Sequence, residues 1–171
     1  DAKTWGMLLM LTPLLGGISA PLGGWMSDRM PAAYLTTFGL IIMAAVIFSF
    51  TLLDSESTSV MVATRMACMG IGMGIFQASH TNLVMGNMPS SRLATGGALL
   101  TMSRSIGVAT SVAIMSAVLS ARENLHSLSG IGDDKAFVMA FQDVYLISAG
   151  IGLLSILVSI FCWPRFTKVV D

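Results

Sequence analysis

Charge is what this chain lacks most. Only 11% of its residues are Asp, Glu, Lys or Arg, where a soluble domain carries about 25%. The few charges also cancel: nine basic residues stand against nine acidic ones, so no basic face is offered to nucleic acid. Cysteine is nearly absent. Cys68 and Cys162 are the two thiols; both fall inside apolar runs, where a buried free thiol is the ordinary state, which argues against a disulfide or a metal pair. The chain has no His-Glu-x-x-His pair, no Gly-x-Ser-x-Gly elbow and no Cys-x-x-Cys, so neither an enzyme nor a cofactor or metal site is expected. The first apolar run has no basic stretch before it and is too long for a signal-peptide core, so it reads as a true helix.

Apolar length is what the chain has instead. Runs over residues 4–25, 33–53, 60–86, 93–119 and 136–163 each reach the ~20 residues that cross a ~30 Å hydrocarbon core at 1.5 Å per residue. With 54% hydrophobic residues and a mean hydropathy of +0.80, the expected fold is all-α. It is a polytopic transmembrane bundle of five spans, one membrane domain over residues 1–171, in contact with lipid in the cell (cytoplasmic) membrane. Connections over 27–32, 54–59, 87–92 and 120–135 are too short for a further domain. Five crossings put the termini on opposite sides. One side then holds Arg29, Arg92, Arg165 and Lys168, the other Lys3, Arg122 and Lys135, and the surplus favours the first set as cytoplasmic.

Small residues recur at helical spacing. Gly16, Ala20 and Gly24, then Gly70, Gly74 and Ala78, then Ala109, Ala113 and Ala117 form stripes that let backbones approach where lipid gives no hydrophobic drive. Pro13 and Pro21, with four glycines among residues 16–24, are expected to bend or loosen the first helix.

The junction after the first span reads Gly23-Gly24-Trp25-Met26-Ser27-Asp28-Arg29-Met30-Pro31, with an acid and a base at a helix end and Pro31 opening the next helix. Gly24, Asp28 and Arg29 resemble the loop signature of the major facilitator superfamily, a glycine followed four residues later by Asp-Arg. That implies a cytoplasmic loop with a gating role. Pro31, Ala32 and Ala33 stand where the family carries a glycine and a basic pair. The fourth span, Arg92-Leu93-Ala94-Thr95-Gly96-Gly97 leading to Ser103-Arg104-Ser105-Ile106-Gly107, is similar to the penultimate helix of the fourteen-span drug–proton antiporters of that superfamily. The resemblance implies that the five spans are the last five helices of a transporter. The first helix of that half and the whole amino-terminal half then lie outside them.

Charges inside spans mark function, because each costs on the order of 2.5–3.5 kcal/mol at mid-membrane and turns toward protein or water. Arg65, His80, Arg104 and Asp143 qualify. On a helical projection Arg65, Met69, Phe76 and His80 share one face of the third span, with Gly70, Gly74 and Ala78 opposite; Gln77 adds a polar group nearby. Arg65, Gln77, His80 and Arg104 are therefore the candidates for a cavity or substrate pathway. Arg65 and Asp143 lie at matching depth and are expected to form a structural ion pair.

The function expected is that of the carboxyl-terminal part of a secondary active transporter, with proton-coupled efflux of drugs or other small molecules by alternating access. Its partners are then membrane lipid, the remaining helices, and a small-molecule substrate with protons. The alternative is a small non-transporting membrane subunit that packs against a larger complex.

Overall fold

Proline marks where two of the helical segments begin. The computed structural model describes the backbone of residues 2–52, 58–128 and 133–166, and side chains over 6–52, 58–128 and 135–162. Five helices make up almost all of it: α1 (Ala2–Ser27), α2 (Ala32–Phe50), α3 (Ser59–Gly86), α4 (Leu93–Leu128) and α5 (Asp133–Phe166). All five are long and apolar enough to cross a membrane. Pro31 precedes α2, and its carbonyl accepts the Tyr34 N–H at 3.0 Å. Pro89 opens a single 3-10 turn, Ser90–Arg92, that feeds α4. In α1 the helix continues unbroken through Pro13 and Pro21, each of which removes a backbone donor and crowds the carbonyl four residues earlier.

Two boundaries differ from the sequence expectation. The fourth helix does not end near residue 119 but continues to Leu128, and the fifth starts at Asp133. Nothing between residues 108 and 129 breaks a helix, and glycine returns only at Gly130 and Gly132. At 36 residues α4 is ~54 Å long, so its last turns, with Arg122, Glu123 and His126, outrun a ~30 Å core. Lys3, Arg165 and Lys168 of the charge count lie outside the described side chains.

Helix α3 is the hub, packed along α1 on one side and α2 on another; α5 joins α2 to α4, and α4 touches α3 only over a short stretch. Among the described residues the interior mixes small side chains with a few large ones, Leu8, Leu35, Val46, Phe50 and Ile75. Ala33, Ala44, Ala136, Ala140 and Ala149 are buried, and Ser79 is the largest side chain that is fully enclosed. Leu9, Leu14, Leu22, Leu153, Leu157 and Phe161 face outward, as suits a bundle whose surroundings are apolar and whose cohesion comes from close packing and hydrogen bonds. Ser79 Oγ receives the Thr36 hydroxyl at 3.2 Å between α3 and α2, and Thr37 and Ser159 hydroxyls meet at 2.7 Å between α2 and α5.

The first two small-residue stripes meet each other. Helices α1 and α3 run parallel, with Thr12 Oγ1 donating to the Met66 carbonyl at 3.2 Å. A Cβ on Gly70 would strike the Thr12 carbonyl, and one on Gly74 would strike Ser19 and the Gly16 carbonyl. Further along, it is Gly23 and not Gly24 that faces α3, its Cβ position 2.9 Å from Ile75 Cα. A four-residue step advances about 40° around a helix, so two steps from Gly16 have already turned Gly24 out of the seam. The third stripe, Ala109, Ala113 and Ala117, is exposed.

Candidate functional site

The polar residues of α3 and α4 converge on one side of the hub. Where α4 leans against the second half of α3, a cavity of about 620 Å³ opens between them, with Met43 of α2 at its back. Helix α3 contributes Met73, Phe76, Gln77, His80, Thr81 and Met85; α4 contributes Gly97, Leu100, Thr101, Ser103 and Arg104. The volume falls within the ~300–1,000 Å³ of small-molecule sites. Three of the four pathway candidates thus share one space: Gln77, His80 and Arg104.

Local structure explains how. His80 lies one helical turn after Phe76, and their rings stack at 5.2 Å with 11° between planes. Both are half-buried while Gln77 is exposed. Thr81 and Thr101 each turn the hydroxyl proton back to a carbonyl four residues earlier, Gln77 at 2.8 Å and Gly97 at 3.0 Å. They therefore present acceptor lone pairs to the cavity and no free proton. Gly96 and Gly97 set the closeness of α4: a Cβ on Gly96 would strike the Met88 sulfur, and one on Gly97 would lie 3.2 Å from the Met85 methyl. Arg104 is exposed on α4, 11 residues beyond Leu93, which is ~17 Å along the axis and close to mid-membrane.

A second cavity, about 510 Å³, lies across α3 against α1, lined by Thr12, Pro13, Gly16, Gly17, Ala20 and also by Met73, Gln77 and Thr81. Sequence reasoning missed it. The available signal was the cluster of Pro13, Gly16, Gly17 and Ala20, residues too small to fill the space beside a neighbouring helix. The methionine share of the first cavity was missed as well, although Met73 and Gln77 lie one turn apart.

The expected Arg65–Asp143 pair is replaced by another. Asp143 Oδ2 meets His126 Nε2 at 3.0 Å and Arg122 Nε at 3.8 Å. Arg65 keeps one buried guanidinium nitrogen without a hydrogen-bond partner, 6.0 Å from the Phe50 ring. Depth agreed and direction did not. Asp143 and Tyr145 lie about 200° apart around α5, so Tyr145 packs against Phe50 of α2 with ring centroids 5.1 Å apart and the planes tilted by 31°, while Asp143 turns to α4. His126 went unnoticed because its segment read as a loop. With side chains 21–48% exposed, such a cluster stabilises by about 1 kcal/mol at most. A double-mutant cycle on unfolding in detergent should show coupling of about 0.2–1 kcal/mol between His126→Ala and Asp143→Ala. Arg65→Ala and Asp143→Ala should simply add.

At the α1–α2 turn, the Gly24 carbonyl accepts the Asp28 N–H at 3.1 Å, and the Met26 carbonyl accepts from Arg29 at 3.1 Å and Met30 at 3.0 Å. The Arg29 guanidinium sits 3.9 Å over the Trp25 ring, and both Asp28 and Arg29 are exposed.

Residues 2–112 match the model of the Major Facilitator Superfamily. The chain belongs to this superfamily. It is 31% identical over 114 residues, 67% of the chain, to the uncharacterized transporter YebQ of Escherichia coli (strain K12). It is 22% identical over 166 residues, 97% of the chain, to the riboflavin transporter RibZ of Clostridioides difficile (strain 630). The chain spans 25% and 36% of those two relatives. No solved structure matches it. The chain is thus a multi-pass membrane segment of this superfamily, with five helices long and apolar enough to span and a cavity that carries Gln77, His80 and Arg104 between two of them.

Proposed function

We propose that this chain is the carboxyl-terminal part of a secondary active transporter that exports small molecules against a proton gradient by alternating access, as fourteen-span drug–proton antiporters do. The convergence of Gln77, His80 and Arg104 on one cavity carries the reading, because charged and polar side chains at membrane depth are retained where they serve a solute path. Arg65, outside that cavity, is left as a support for the Phe50 side of the bundle. The turn with Gly24, Asp28 and Arg29 is proposed to face the cytoplasm as a gate element, its exposed Asp28 free to meet another part of the protein on closure.

Flux decides it. The full-length protein in proteoliposomes, with riboflavin and ethidium as first solutes, should move at least one of them when a pH gradient is imposed. A protonophore should abolish the movement. Movement indifferent to the gradient would remove proton coupling, and no movement of any solute in a broad panel would remove transport.

A further inference from the structure

We infer that the α3/α4 cavity recognises an organic anion with a flat apolar body, with Arg104 binding its anionic end. This rests on the cavity being the solute site proposed above.

The charge inventory of the lining is one-sided. Among the described residues that line it, Arg104 is the only one of fixed charge and none is Asp or Glu. The nearest described carboxylates are occupied or distant: Glu123 lies 19 residues further along α4, ~28 Å along the axis, Asp143 belongs to the His126 and Arg122 cluster at that same end of α4, and Asp28 lies at the exposed α1–α2 turn. A cation entering here would meet a guanidinium without a counter-charge, in surroundings of low dielectric where that repulsion is poorly screened. One Phe76 face returns too little to offset it. An anion meets the reverse, a planar fork of five N–H donors suited to a carboxylate or sulfonate.

Shape supplies the other half of the inference. Met43, Met73, Met85 and Leu100 form pliant apolar walls, and the near-parallel Phe76 and His80 rings offer a flat edge. The Thr81 and Thr101 hydroxyls point their protons at their own helices, so the donors left for an anion are concentrated on Arg104, Gln77, Ser103 and His80. A lipid phosphate is a poor candidate, because Arg104 lies ~17 Å from the start of α4, near mid-membrane and far from headgroups. The ligand is therefore a solute.

The test compares three probes with one ring system: 2-naphthoate, 2-naphthylmethylammonium and neutral 2-naphthamide. Equilibrium dialysis against the full-length protein in nanodiscs of phosphatidylcholine should show naphthoate bound at least tenfold more tightly than the ammonium. Arg104→Gln should cut naphthoate affinity at least tenfold and change naphthamide affinity less than threefold. Equal or tighter binding of the ammonium to the wild-type protein overturns the inference without any variant having to fold. Naphthoate affinity unchanged in a folded Arg104→Gln protein overturns it too, with the arginine then assigned to an acid elsewhere in the transporter. Proteoliposome flux separates the two claims: anion-selective binding without any flux leaves this inference standing and removes transport, whereas proton-coupled flux of cations alone does the opposite.

Discussion

Gly74→Leu should abolish the folded bundle at temperatures where the parent protein persists. Its Cβ position already collides with Ser19 and the Gly16 carbonyl, so even alanine must push α1 away, and leucine adds three more carbons in the same seam. Overpacking costs ~1–3 kcal/mol in soluble cores, and more where backbone is the obstacle, against a total stability of ~5–15 kcal/mol. Separation of α1 also breaks the Thr12 bond to Met66 and the contacts of Ser19 with Gly70 and Ile71. Size-exclusion profiles after graded heating in detergent measure the loss. Gly107→Leu, at an exposed glycine with nothing within 4 Å of its Cβ position, should melt with the parent. If the two variants melt alike, the α1–α3 seam does not hold the molecule together as described.

Thr101→Trp should lower transport at least tenfold while leaving the fold in place. Thr101 is exposed and faces the 620 Å³ cavity, so an indole there occupies solute space without entering a packed helix seam. Ile106→Trp is the matching control, about 200° from Arg104 around α4 and 54% exposed. Initial rates in proteoliposomes, normalised to monodisperse protein, should separate the two. Equal rates would show that solute does not pass between α3 and α4.

The architecture was legible because its signal is length. An apolar run of about 20 residues has few alternatives in a bilayer, and each of the five runs became a helix. What failed at the ends failed for the same reason: Ala121 to Leu128 is polar yet free of breakers, so hydropathy said loop and backbone propensity said helix. Azimuth was legible only within a helix. The projection of α3 correctly set the Gly70 and Gly74 face apart from that of Phe76 and His80, but no single-helix projection shows which neighbour a face meets. That is why Gln77, His80 and Arg104 could be chosen singly and not placed in one cavity, and why Asp143 was given the wrong partner. Gly24 was misplaced by a subtler effect, the 40° drift that separates a four-residue ladder from a straight seam.

Chain order gives the thin attachment of α4 a meaning for biogenesis. During synthesis α4 emerges as the least apolar of the five spans, with a guanidinium near its middle, and the most apolar span, α5, follows it directly. A translocon weighing α4 by itself has little reason to release it into lipid, since one arginine at that depth offsets several leucines. Helix α5, the more apolar of the two, stands beside it. The two pack along each other, with Ser148 directed at Met115 and Asp143 at His126, so α5 is placed to hold its predecessor, and Arg104 with it, in the membrane.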